Sequence, residues 1–156
     1  MLVPLLGLAL ALGCGDGAKP PPTDACAMPS PRAIDTLELG AATPADLAGQ
    51  PAAFVPLHDG DGLSLIRGAQ GANMLGFVLR VSGASPPACL PQSTVVTDSA
   101  GARVTASMPP LATYAASDGT RVTHALWLPA DYPASFIVTV AAAGQSLTLH
   151  LHLVVP

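Results

Sequence analysis

Two histidines, His150 and His152, stand two residues apart in the run Leu147 to Val154, where leucines alternate with polar residues. Alternate side chains of an extended strand share a face, so both imidazoles project the same way. Two neutral imidazoles at that spacing grip copper or zinc when a third ligand joins them. His58, His124, Met74 and Met108 are the residues able to supply one, although Met108 also reads as core. The competing reading makes both histidines polar residues of a solvated strand face, and the surrounding alternation favours it.

Trp127 is a second candidate. It falls out of phase with Val122 and Leu126, and an exposed Trp accompanied by Tyr114 or Tyr132 can stack a sugar ring or anchor a partner. A buried Trp on a bulged strand fits the same pattern. His124 is in phase with Val122 and Leu126 and reads as a hydrogen-bonded, partly buried histidine. The stretch Asp59-Gly60-Asp61-Gly62 has the look of a calcium loop but lacks the further oxygen ligands and the distal Glu of an EF-hand, so a hairpin turn is expected. Gly68 and Gly71 precede a strand rather than a helix and no Lys-Ser/Thr follows, which excludes a phosphate loop and leaves a bulge or tight loop.

Signatures of hydrolysis are absent: there is no GxSxG elbow and no HExxH. Glu38 is the single glutamate, and nearly all aspartates fall in turn or linker contexts. The expectation is a protein without catalytic activity. The net charge of −4, with Arg32, Arg67, Arg80, Arg103 and Arg121 scattered singly, offers no basic stripe for a nucleic acid.

The elements that position these residues are strands. Of 156 residues only 10% are charged, and helix-forming Glu, Lys and Gln are scarce beside Val, Thr and Leu. Strict alternation marks Met74 to Ser82, with Leu75, Phe77, Leu79 and Val81 inward. It also marks Arg103 to Met108 (Val104, Ala106 and Met108 inward), Phe136 to Val140, and Leu147 to Val154. Weaker strands are expected at Thr36 to Leu39, Phe54 to Leu57, Leu63 to Ile66, Ser93 to Thr97 and Arg121 to Leu128. Thr43 to Gly49 reads as a short helical turn, with Thr capping, Pro first and Gly stopping it. About seven to nine short strands punctuated by Gly, Pro and Asp turns predict an all-β, antiparallel sandwich. Residues 34–156 resemble an immunoglobulin-like or fibronectin-like domain, with the segment from Trp127 to Val155 as its closing hairpin. The paired cysteines and Trp spacing of antibody domains are missing, and the resemblance implies architecture alone.

Residues 1–13 are uncharged and apolar, the length of a signal-peptide core and too short to span a bilayer. The run ends Ala11-Leu12-Gly13-Cys14, which resembles the lipobox of bacterial lipoproteins, with Ala11 where Leu is usual. That resemblance implies an acylated Cys14 at the mature N-terminus, and Gly15 after it implies outer-membrane sorting. The stretch from Arg67 to Gly83 is similar to a segment of uncharacterised lipoproteins of high-GC Gram-negative bacteria. Residues 14–33, with Pro20, Pro21, Pro22, Pro29 and Pro31, read as an extended tether. With Cys14 committed to lipid, Cys26 and Cys89 remain as an even pair in an oxidising compartment, and closing that loop stabilises the fold by about 4 kcal/mol. The whole predicts a lipid-anchored cell-envelope protein, periplasmic or surface-facing, held to the membrane by its N-terminal lipid and acting on an envelope partner or as a structural module. The alternative is a periplasmic copper or zinc protein using His150 and His152.

Overall fold

The computed structural model describes Cys26 and residues 33–47, 54–68 and 70–154. The leader at 1–13, Cys14 and the tether up to Arg32 lie outside the described residues, Cys26 apart, as does Gly49 at the end of the expected helical turn. Two sheets face each other. One contains β1 (Thr36–Ala41), β2 (Val55–Pro56), β4 (Ile66–Arg67), β5 (Asn73–Ser82), β6 (Cys89–Leu90), β9 (Leu111–Ala115), β10 (Arg121–Thr123) and β11 (Leu126–Pro129). The other contains β3 (Gly62–Leu63), β7 (Gln92–Asp98), β8 (Arg103–Ser107), β12 (Ser135–Ala142) and β13 (Gln145–Leu153). The turn α1 (Pro44–Leu47) follows β1, and the Asp46 carboxylate closes it by accepting from the Thr43 N–H at 2.7 Å.

The strand order is that of an immunoglobulin-like sandwich. In the first sheet β1-β5-β10-β9 stands as A-B-E-D, and in the second β13-β12-β7-β8 stands as G-F-C with an added neighbour of C. Pairing is antiparallel throughout except where β3 joins the edge of β13 in parallel. The inward side chains come from both sheets: Leu75, Phe77, Leu79 and Val81 of β5 meet Phe136, Val138 and Val140 of β12 and Leu149 and Leu151 of β13. Fully burying each such side chain contributes about 1.5–3 kcal/mol. At one end Tyr132, just before β12, donates its hydroxyl to the Leu128 carbonyl at 2.7 Å. Its ring lies 5.6 Å from that of Phe136, in the manner of the tyrosine corner of such sandwiches.

The alternating segments form strands as expected, and β5, β12 and β13 keep the expected faces. Four expectations fail, two of them on register. In β8 the pairing passes from Thr97↔Arg103 to Val96↔Thr105, so Val104 is an extra, bulged residue. Beyond it Thr105 and Ser107 oppose the buried Val96 and Thr94, Ala106 turns outward, and Met108, expected in the core, is 66% exposed. The expected strand Arg121 to Leu128 is two strands. Arg80 pairs with Val122 but Phe77 pairs with Leu126, leaving one residue too many on that side, and the phase reverses across His124 and Ala125. Leu126 therefore faces in, whereas Val122 and His124 face out, and His124 is exposed rather than partly buried. Asp59 to Gly62 is no hairpin. It carries the chain from β2 in one sheet to β3 in the other, its turn closed by the Asp61 N–H on the His58 carbonyl. Leu63 to Ile66 likewise divides between β3 and β4, while β6 and β9, with little alternation, had no sequence signal.

Cys26 and Cys89 are joined by a disulfide across 63 residues. It fastens the chain ahead of β1 to β6, a strand otherwise paired with β9 at only Cys89↔Ala112 and Leu90↔Leu111. Replacing both cysteines by serine is expected to cost about 2–4 kcal/mol in urea unfolding under oxidising conditions. Adding a reductant should bring the wild type down to the variant's midpoint; an unchanged midpoint in the variant would contradict the assignment.

Candidate functional site

Chemistry-bearing side chains gather on the two outer faces of the sandwich and at the β13 edge. On β13 the leucines turn in, so Thr148, His150 and His152 turn out. The turn at 58–62 lies along this edge: the Gly60 N–H donates to the His150 carbonyl at 2.7 Å and the His152 N–H to the Asp61 carbonyl at 3.2 Å. Asp59 completes the contact. Its Oδ1 accepts from the His150 N–H at 2.6 Å and lies 2.9 Å from His150 Nδ1. The backbone bond first, then the imidazole, holds the Asp59 carboxyl below its ordinary range. An ionised carboxylate only accepts, so Nδ1 carries the proton and Nε2 is the open nitrogen.

Around the two histidines the expected co-ligands are dispersed. His150 and His152 share a face as the spacing required, but His152 lies over Gly62, whose Cβ position is 3.0 Å from its Nε2. Met74 sits against Gly68, His124 is beside Tyr114 on the other sheet, and Met108 projects past the end of β8. His58 Nδ1 lies 3.5 Å from Asp61 Oδ2. Among the described residues no three His, Cys, Asp or Glu side chains are gathered to hold a metal ion. A shallow hollow of about 360 Å³ flanks the histidines, lined by Gly60, Ser99, Ser135 and Ile137.

The opposite face is built differently. Trp127 pairs with Gly76, and its ring fills the place a side chain at 76 would take, with the Ala42 methyl 2.7 Å from the same point. Trp127 is thus half-buried, a cover for the outer side of β5 rather than a free platform. Further along the same face, Glu38 pairs across with Arg80, and Arg80 with Val122, while Val122 pairs with Tyr114. Arg80 donates from Nε to Glu38 Oε2 at 2.6 Å and from Nη2 to Oε1 at 2.8 Å, a two-pronged geometry that fixes the guanidinium plane. The bond holds Glu38 below and Arg80 above their usual values. The guanidinium also lies 4.3 Å from the centre of the Phe54 ring, and Phe54 occupies the space above Gly40.

These residues enclose a cleft of about 250 Å³ lined by Phe54, Arg80, Tyr114, Asp118, Thr120 and Val122. Asp118 Oδ1 accepts both the Thr120 hydroxyl at 2.6 Å and the Thr120 N–H at 3.0 Å. Those bonds, hydroxyl first, keep its carboxyl below the ordinary range. The Tyr114 ring meets His124 edge-on at 5.8 Å; burial, with a smaller contribution from the charge of Asp46, raises its phenol, which stays protonated. Phe54, Arg80 and Asp118 carried no functional signal in the sequence, since residues from four separate segments meet only after the sheet forms. Trp127 marked the right face but not the cleft itself.

No protein-family model, no curated protein and no solved structure matches the chain. The sites therefore stand on their geometry.

Two measurements check this description. Because its folded pKa is depressed, Asp59 contributes stability above the ordinary carboxylate range of about 3.9, and that contribution disappears as pH falls through the lowered value. In His150→Ala the backbone bond persists and the imidazole bond is lost. The Asp59 pKa, followed by carboxyl-carbon NMR, should rise toward its ordinary value without reaching it. Separately, Gly76→Ala must displace the Trp127 ring. Since Trp127 is the only Trp, its emission should shift to the red, with stability lowered by about 1–3 kcal/mol; unchanged emission would show that the ring does not cover this position.

Proposed function

We propose that the chain is a non-enzymatic, lipid-anchored module of the bacterial cell envelope that works by contact with another envelope component. The observation that carries this reading is the Cys26–Cys89 disulfide. It is compatible with export to an oxidising compartment, and Cys26 lies a short distance past a lipobox-like leader and Pro20-Pro21-Pro22. On this reading Cys14 takes lipid, the prolines hold the domain off the membrane, and Cys26 is the first residue tied to the sandwich. Placement in the outer membrane, facing either the periplasm or the outside, follows from Gly15 after the acylated cysteine.

The contact itself belongs to the outer face of the β1-β5-β10-β9 sheet. There aromatic and charged side chains with settled partners surround an open cleft, which is the composition of a recognition surface.

The test is labelling and cross-linking in a Gram-negative host grown with radiolabelled palmitate. Wild type should incorporate label and fractionate with membranes, while Cys14→Ser should do neither. A membrane-impermeant cross-linker should join the wild type to an envelope component. Equal labelling of the two proteins would remove the anchor, and recovery of uncross-linked protein alone would remove the contact role.

A further inference from the structure

We propose that the cleft between Phe54, Arg80, Tyr114 and Asp118 binds a neutral pyranose glycan. The proposal rests on reading the domain as a contact module and names what that module contacts. A pyranose ring presents two things at once: an apolar face of C–H groups, and a rim of hydroxyls that each donate and accept. The cleft supplies the counterpart of both. The Tyr114 ring is its apolar surface, with Phe54 at the side and the buried Val122 beneath, and an aromatic ring with a polar tip suits such a ligand.

Its rim supplies donor and acceptor. Two of the three Arg80 nitrogens are engaged by Glu38, which holds the third, Nη1, in place as a donor with no partner among the described residues. Asp118 Oδ1 takes both bonds from Thr120 and the carboxylate takes a further one from its own N–H, which leaves part of its acceptor capacity for the cleft. The Tyr114 hydroxyl, likewise without a hydrogen bond among the described residues, both donates and accepts. Arg80 and Asp118 are already held by their partners, so little ordering cost falls on them at binding.

Charge narrows the ligand to an uncharged one. An anionic group entering the cleft meets the Asp118 carboxylate with Glu38 behind it, and the single cation present, Arg80, is already compensated by Glu38. A cationic side chain can pair with Asp118 but offers no acceptor to Arg80 Nη1. A neutral ring satisfies both rim charges through hydroxyl bonds, and bonds to charged partners are the stronger kind.

Calorimetry on the full mature chain in detergent micelles tests the proposal against a defined panel. The panel comprises neutral tetrasaccharides of glucose, mannose, galactose and N-acetylglucosamine, acidic oligogalacturonate, and oligolysine. At least one neutral tetrasaccharide is expected to bind. Tyr114→Ala and Asp118→Asn should each weaken it by about tenfold, the scale of one lost charged or stacking contact. His150→Ala, on the opposite sheet, should bind as the wild type does, and unchanged thermal melting of the variants shows that they fold. Tyr114→Phe keeps the ring and should retain more affinity than Tyr114→Ala. Binding of oligogalacturonate or oligolysine alone, binding of nothing in the panel, or neutral binding that ignores both cleft substitutions would overturn the proposal. Were the envelope cross-link still recovered in any of those cases, the module reading would stand and the glycan assignment alone would fall.

Discussion

One buried hydrogen bond organises the sheet on which the candidate site is built. The Leu79 N–H, at the centre of β5, faces the point where β10 has ended and β11 has not begun. It donates to the Thr123 hydroxyl at 2.9 Å, with Thr123 fully buried. A buried amide left without a partner costs about 1–3 kcal/mol, so a strand interrupted there without this threonine would lose more than a single contact. With it, the chain accommodates one extra residue and reverses its phase. The outward positions of Val122 and Trp127 both depend on that reversal. Val122 lies outward beside Arg80 and Tyr114, and Trp127 turns outward onto Gly76, while Leu126 and Leu128 still reach the core.

The consequence is that β5 is buried on both sides. Its odd-numbered residues fill the sandwich, and on its outer side Gly76 lies beneath Trp127 while Val78 is also buried. Antiparallel sheets commonly leave one face to solvent; this one carries a second, thinner apolar layer, and its rim is where polar side chains become fixed. Arg80 shows the effect. At an open strand position an ion pair contributes little, because two long side chains must be ordered for one contact. Between Glu38 and the Phe54 ring the guanidinium is already ordered, so it presents a donor in a settled direction.

How much of this the sequence disclosed follows from the same physics. Alternation is legible wherever one face is buried and no residue is inserted, which is why β5, β12 and β13 and the sandwich class could be read directly, and why His150 and His152 were assigned to the same solvated face. An inserted residue leaves the composition unchanged and moves every later side chain to the other face. The bulge at Val104 sent Met108 out of the core, and the break after Thr123 did the same to His124. The edge strand β6 is only Cys89 and Leu90, too short to show alternation, and in its partner β9 Thr113 is buried by donating its hydroxyl to the Pro87 carbonyl at 2.6 Å; Gln92, at the start of β7, is buried in the same way by donating to the Pro109 carbonyl at 3.0 Å. Buried polar residues that are fully bonded leave no hydrophobic signal. The cleft was invisible for a further reason. Its members come from β5, β9, β10, the turn between β9 and β10 and the residue before β2, and only pairing partners, never neighbours in sequence, bring Arg80 to Val122 and Val122 to Tyr114.

The disulfide connects this face to the chain's N-terminal side. Cys89 pairs with Ala112 of β9, and Tyr114 lies two residues along that strand, so the crosslink and the cleft share one edge of one sheet. Under the proposed anchoring, any pull along the tether arrives at Cys26 and passes through the disulfide into β6. That strand alone would be a poor place to bear it, because two ladder positions hold it to β9. The covalent bond returns the load to the chain ahead of β1 as well, so β6, at one end of the sheet order, and β1, next to the other end, are restrained together. A cleft assembled from four strand and turn segments keeps its geometry only while those segments keep their spacing. A crosslink at this edge, rather than one through the core between β5 and β12 as in antibody domains, protects that spacing where a tethered domain is pulled.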